Sequence, residues 1–487
     1  MIYNYSFLII QKLTNNVLSK NKQTPMRAKF ILYLSLLIPF ALVFIYVLNT
    51  STDLVAGDDM YLIKGGFIEG YLKGTLTFND LWRPLHVSRL LGYNLLQIAN
   101  IKLSSMNSKN LALLIPFFML ASAILIYREY RKSLVLEHSP EFIAATFLVL
   151  TFIIFNIIQW EGLLGGCDLV YQSSMPFFIA SFIGTELFLL RGNWKYLPVT
   201  FILTPLAMLV FNGRLYVSFI PTLGSIFLCY ILNYRSSLTK DFWIRALLIS
   251  LFIAVIAFLY MYKININANF PYAATEVFAH PLEVSEFLLA AFASSVVGVD
   301  VFFSSTYFSF NTMLIIGLII VILYVLALAL FFRSRMYERT YLPLFLIVQT
   351  FFYLGFMTIG RFELGKDSGM ASRYACVSIY GIAAMVWIFI FILAHPKKLK
   401  ALLKSTIITG FIIVFSGLLL TSMVVWRIQP QRKAYFEQLP NIALRVDTAT
   451  PEELSKFFES PERVRDSLRL LREYKLNAYR TSSAERE

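Results

Sequence analysis

Two adjacent carboxylates open the chemical inventory of this chain: Asp58 and Asp59, in Ala56-Gly57-Asp58-Asp59-Met60-Tyr61, directly after a long apolar run. Carboxylates this close to a bilayer are costly unless something polar uses them. They offer a general base, or ligands for a divalent metal such as Mg or Mn. The plainer use of such a pair is helix capping, because anions favour the N-terminal end of a helix.

A second cluster reads Gln159-Trp160-Glu161-Gly162-Leu163-Leu164-Gly165-Gly166-Cys167-Asp168. Glu161 emerges at the end of an apolar run, as Asp59 does, and the glycines permit tight turns and close approach of a ligand to backbone. Trp160 reads as an aromatic of the membrane interface. The densest cluster is Gly360-Arg361-Phe362-Glu363-Leu364-Gly365-Lys366-Asp367-Ser368-Gly369-Met370-Ala371-Ser372-Arg373-Tyr374. Its cations suit phosphate, since a guanidinium matches phosphate oxygens bidentately. An internal ion-pair network among Arg361, Glu363, Asp367 and Arg373 is the alternative. Arg214, in Asn212-Gly213-Arg214, could join them. In Leu81-Trp82-Arg83-Pro84-Leu85-His86-Val87-Ser88-Arg89, His86 and Arg89 share a face if the segment is helical. Lipid phosphates would serve Arg83 and Arg89 as well as a substrate would.

Other chemistries have no signature here. No Walker loop, GxSxG or HExxH occurs, so no nucleotide or redox cofactor is expected. Cys167, Cys229 and Cys376 form no CxxC pair. His138, His280 and His395 are isolated in sequence, with no metal-binding pair at i and i+4. Glu186, five residues before Arg191, reads as snorkelling to the inner interface.

The elements that must hold these residues follow from composition. The chain has 487 residues, 58% hydrophobic against 15% charged, with 45 Phe. A soluble chain of this length needs about a quarter of its residues charged. The expected fold is therefore an all-α polytopic membrane protein with about eleven transmembrane helices of roughly 20 residues each. They fall near 30–49, 111–127, 142–159, 175–190, 197–212, 216–233, 246–262, 312–332, 341–359, 374–394 and 405–426. The net charge of +14 sits in short clusters between apolar runs, not on a basic face interleaved with aromatics, so no nucleic-acid partner is expected. Lys12, Lys20, Lys22, Arg27 and Lys29 precede the first span, and alternate loops repeat the excess. This places segment 1–29 in the cytoplasm. Arg427, Arg432 and Lys433, after the last span, run against that rule.

The outer loops are then 50–110, 160–174, 263–311 and 360–373, and they carry all three clusters. Residues 60–103 suit interfacial helices in the first outer loop. Met1 to Leu13 is too short to span and lacks a cleavage pattern, so no removable leader is expected. Residues 427–487 form a helical C-terminal tail on the extracytoplasmic side, where Thr450-Pro451-Glu452-Glu453 spells a capping box.

Taken together, Gly57-Asp58-Asp59, Gln159-Trp160-Glu161 and Gly360-Arg361 with Gly369, Ala371, Ser372, Arg373 and Tyr374 resemble the GT-C superfamily of membrane glycosyltransferases. They look most like a bacterial GT-C-like group, over roughly residues 29–426. The resemblance implies a plasma (inner) membrane protein with its site on the extracytoplasmic face. It implies a sugar donor carried on polyprenyl phosphate, an acceptor that is a cell-surface glycan, lipid or protein, and an inverting transfer. Asp58 or Asp59 would be the base, with Arg361 and Arg373 toward the donor phosphate. Glu161, His86, Arg89 and Arg214 complete the expected substrate-binding set, although His86 and Arg89 are separated where such proteins often pair histidine with arginine. Competing readings are a transporter or flippase of a lipid-linked or polar solute, a surface polysaccharide polymerase or ligase, and a non-catalytic scaffold. A transporter should carry breakers or charges at mid-span; here polar residues gather at the outer ends.

Overall fold

The computed structural model describes residues 25–85, 88–166, 169–211, 216–234, 239–262, 277–304, 308–395 and 400–480. His86 and Arg214 lie outside the described residues. The chain runs through α1 (Met26–Thr50), α2 (Met60–Ile63), α3 (Phe67–Leu72), α4 (Phe78–Trp82), α5 (Leu91–Ser104), α6 (Ser108–Ala112) and α7 (Ile115–Leu134). It continues with α8 (Pro140–Ile154), α9 (Trp160–Leu164), α10 (Leu169–Thr185), α11 (Leu197–Pro205), α12 (Tyr216–Tyr234), α13 (Lys240–Met261) and α14 (Pro281–Ser294). The last third holds α15 (Val299–Ser304), α16 (Phe310–Arg333), α17 (Leu342–Arg361), α18 (Ala375–Leu393), α19 (Ala401–Leu444), α20 (Pro451–Ser455) and α21 (Pro461–Glu473).

Among the described residues, nine helical stretches are long and apolar enough to cross a membrane. They are α1, α13, α16 and α19 with Ser108–Leu134, Pro140–Leu164, Leu169–Leu190, Leu342–Leu364 and Ser372–Leu393. The protein is thus an all-α, multi-pass membrane protein. The two remaining apolar segments expected as spans are shorter, Trp194–Val210 and Ser218–Asn233. The first loses regular geometry where α11 passes Pro205 into a π turn, Leu206–Val210. Just before this segment, Arg191 donates to the carbonyls of Glu338 and Arg339 at 3.1 and 2.9 Å. At its other end, the Val210 carbonyl lies 2.7 Å from where a Cβ on Gly92 would be.

α18 is apolar on every side, a pattern that belongs in the centre of a bundle. Its spanning stretch is 94% buried, against 28% for peripheral α13. Small residues bring backbones together around it: a Cβ on Gly381 would lie 2.4 Å from Thr350 Oγ1, and one on Gly317 would lie 2.0 Å from the Leu289 carbonyl. The central position matters for the site, because Arg373 directly precedes α18.

Three local expectations change. Residues 83–89 are not helical: Pro84 pairs with Arg89 and Leu85 with Ser88 in a minimal antiparallel hairpin. Pro84 drives Arg83 to extended backbone (φ −60°, ψ 131°), as a residue before proline prefers. Glu186 does not snorkel. It is buried in a π turn, where it pairs with Arg191 at 3.4 Å and accepts from the Tyr341 N–H at 3.3 Å. The helix that carries the last span does not stop near 426, because α19 runs on through Pro430 and Pro440 to Leu444.

Beyond α19 the tail folds back over the first outer loop. The Gly57 N–H donates to the Phe457 carbonyl at 2.7 Å, and Ser467 Oγ donates to the Met60 carbonyl at 3.2 Å. Arg463 stacks on Tyr61, 4.1 Å from the ring centre. Asn477 Nδ2 donates to the carbonyls of Asp53 and Met106 at 2.9 and 2.7 Å. The capping box at Thr450 forms as expected, with Glu453 N–H to Thr450 Oγ1 at 3.3 Å and the reciprocal bond at 3.0 Å.

Candidate functional site

The Gly-Asp-Asp segment is a single tight turn. Gly57 takes a positive φ of 61°, a conformation that favours glycine, and Gly57–Asp59 then wind as one 3-10 turn into α2. The turn separates the two carboxylates. Asp58 is half-buried, whereas Asp59 is 1% exposed and faces α5. Tyr93 Oη donates to Asp59 Oδ1 at 2.6 Å, and Gln97 Nε2 donates to Tyr93 Oη at 2.6 Å. Asn100 Nδ2 reaches Gln97 Oε1 at 3.5 Å, and Ser104 Oγ donates to Asn100 Oδ1 at 2.5 Å. Positions 93, 97, 100 and 104 share one face of α5, so one helix supplies the whole polar row. A buried carboxylate needs such donors, and hydrogen bonds to charged groups contribute about 1.5–3 kcal/mol each.

The Gln-Trp-Glu segment is the hub between this turn and the late basic cluster. Gly166 packs directly on Asp59: a Cβ there would lie 2.1 Å from Asp59 Oδ2 and 3.0 Å from Tyr93 Oη. Five residues earlier, Glu161 Oε2 accepts from the Arg373 N–H at 3.1 Å, and the Glu161 N–H donates to Ser372 Oγ at 3.0 Å. Gly162 lets α9 lie against α18, since a Cβ there would meet Cys376 Sγ at 2.1 Å. Gln159 is joined through Gln172 to Tyr380, whose hydroxyl donates to Gln172 Oε1 at 3.0 Å. Trp160 is not a free interfacial aromatic. Arg432, from the extended part of α19, sits 3.7 Å from its ring centre. Arg432 also pairs with Asp300 and donates to Tyr46 Oη at 3.2 Å.

The expected site residues therefore divide. Asp59, Glu161 and Arg373 are tied to one segment, residues 159–166. Arg361 ends α17 and is half-buried, with no hydrogen bond or ion pair among the described residues. The expected network with Glu363 and Asp367 does not form; the loop's lysine, Lys366, pairs with Glu286 on α14 at 3.7 Å. Arg89 is 2% exposed and its donors go to backbone. Its Nε donates to the Tyr260 carbonyl at 2.7 Å, its Nη atoms donate to the carbonyls of Trp82 and Tyr262, and its guanidinium stacks on Trp82 at 4.7 Å. That geometry holds the hairpin to the C-terminal end of α13, where carbonyls lack helical partners. Among the described residues no third side chain completes a metal-ligand trio with Asp58 or Asp59, so no step is derived through a metal there.

Tyr93 is a site neighbour absent from the sequence motifs, and its one readable trace is the polar row of α5, spaced i, i+4, i+7 and i+11. Gly166, Ser372 and Arg432 stand out in the sequence, but the partners they take do not. Comparison with protein-family models, curated proteins and solved structures gave no significant match.

Proposed function

We propose that the protein is a membrane glycosyltransferase that moves a sugar from a polyprenyl-phosphate-linked donor to an acceptor hydroxyl at the extracytoplasmic face, with eleven crossings of the plasma membrane in a GT-C-like arrangement. The observation that carries the reading is the convergence on residues 159–166: Gly166 packs on the Asp59 carboxylate while Glu161 holds the Arg373 backbone. In this reading the acceptor oxygen attacks the anomeric carbon and its proton passes to Asp59. The bond from that carbon to the phosphate oxygen breaks on the opposite side, so configuration inverts. Arg373 and Arg361 neutralise the departing phosphate. Tyr93 and Gly166 fix the Asp59 carboxylate, Asp58 lies toward the tail, and Arg89 positions the loop.

The test is sugar transfer in membranes from a strain lacking the native copy, with a radiolabelled polyprenyl-phosphate sugar as donor. Asp59→Asn is expected to lower transfer by about 10²–10⁴-fold with donor binding retained. Arg373→Lys should raise the donor KM, because the bidentate geometry is lost. Transfer unaffected by Asp59→Asn and Asp58→Asn combined would overturn the mechanism. Export or import of a solute without bond cleavage would instead favour a transporter.

A further inference from the structure

The inner face holds a second constellation that plays no part in sugar transfer. His138, in the turn between α7 and α8, and His395, just past α18, are remote in sequence but meet across the bundle, with ring centres 5.5 Å apart at 84°. Glu137 lies between them and Arg339. One ligand atom from each of Glu137, His138 and His395 falls within 4.8 Å of the other two.

The hydrogen bonds orient these atoms as ligands. His395 Nδ1 lies 2.5 Å from the Phe391 carbonyl, which can only accept, so Nδ1 carries the proton. In the neutral ring this leaves the lone pair on Nε2, which faces Glu137 Oε2. His138 Nε2 is buried with no hydrogen-bond partner, and His395 Nε2 is buried against Glu137 Oε2. The other carboxylate oxygen, Oε1, is taken by Arg339 Nη2, while Arg339 Nη1 donates to the Ser133 carbonyl and lies 3.5 Å from Oε2. A carboxylate ligand braced by a donor on its far oxygen is the usual outer arrangement of a metal site. The His395 Nε2 lone pair and the Glu137 oxygen repel each other unless a cation sits between them, and His138 lies close enough to add a third ligand.

We infer that Glu137, His138 and His395 bind one divalent transition-metal ion of the zinc class at the inner face. Two nitrogens and one oxygen suit Zn2+ with solvent as fourth ligand, and suit Mg2+ or Ca2+ poorly, since those ions take oxygen ligands. The ion would staple the α7–α8 turn to the end of α18. The 19 residues of α18 rise about 28 Å, so this site stands at the opposite end of that helix from Arg373 and is independent of the transfer reading.

The experiment uses the full chain without a histidine tag, purified in detergent and stripped with EDTA. Zn2+ is titrated against a chromophoric chelator, and Co2+ is followed by its visible absorption. One ion per chain is expected, with tetrahedral-type Co2+ bands and a rise in Tm on loading. His138→Ala and His395→Ala should each weaken binding by more than about 100-fold. Failure of the wild-type chain to bind, which a protonated His395–Glu137 ion pair would produce, overturns the proposal. So does wild-type binding by the double variant. Should the variants not fold, X-ray absorption of the zinc-loaded wild type decides: two imidazoles in the first coordination sphere support the site, and fewer overturn it.

Discussion

A methyl group on Gly166 has nowhere to go. It would lie 2.1 Å from Asp59 Oδ2, and the carboxylate cannot retreat while Tyr93 holds Oδ1 at 2.6 Å. Gly166→Ala is therefore expected to swing Asp59 away and lower transfer about tenfold or more, with Tm little changed because the residue lies in a loop. A transfer assay beside a melting curve checks both parts. Charge made some of these residues legible: Asp58, Asp59, Glu161 and Arg373 stand out against an apolar chain as groups that need a reason. Tyr93 is neutral and carries no such flag, so its role appears only with coordinates; Ser372 stands in the late motif, but its bond to the Glu161 N–H does not show in the sequence. Arg89 stands out by charge, while its hold on the Tyr260 and Tyr262 carbonyls at the end of α13 needs the fold.

The hairpin at 84–89 depends on that arginine. Arg89→Ala would leave the carbonyls of Trp82, Tyr260 and Tyr262 without this donor, and each buried polar group so orphaned costs about 1–3 kcal/mol. The expected result is a hairpin released from α13 and cut much faster by added protease within residues 83–90. Cleavage at the wild-type rate would mean the clamp contributes little. At this scale hydropathy located the apolar helices well and their ends poorly. It measures apolar content rather than helical continuity, so α19 seemed to end where its surface turned polar, although its backbone continues to Leu444. The same measure could not foresee that Pro205 and a π turn would shorten Trp194–Val210.

Across the whole molecule, the tail and the first outer loop form one body. Within the tail, Asp447 accepts from Arg472 at 2.7 Å and Arg469 at 2.9 Å, which braces α21 against the end of α19; these guanidiniums hold its carboxyl below the usual carboxylate range. A carboxyl with a lowered folded-state pKa contributes stability above its unfolded value, and that contribution is lost as pH falls through the folded value. Spin labels on α21 and on the last turns of α19 should hold a narrow distance distribution at neutral pH and broaden below about pH 4. Asp447→Asn should broaden it already at neutral pH. The tail's helix starts were readable from Thr450 and Ser460, but its docking was not. Docking rests on single residues such as Asn477, whose side chain fills a gap between residues 53 and 106. Since residues 53–60 leave the ribosome some four hundred residues before their covering segment, through Arg480, the Gly-Asp-Asp turn stays unfinished until that segment has emerged. A product cut short after α19 would still insert its spans, yet would leave that turn uncovered.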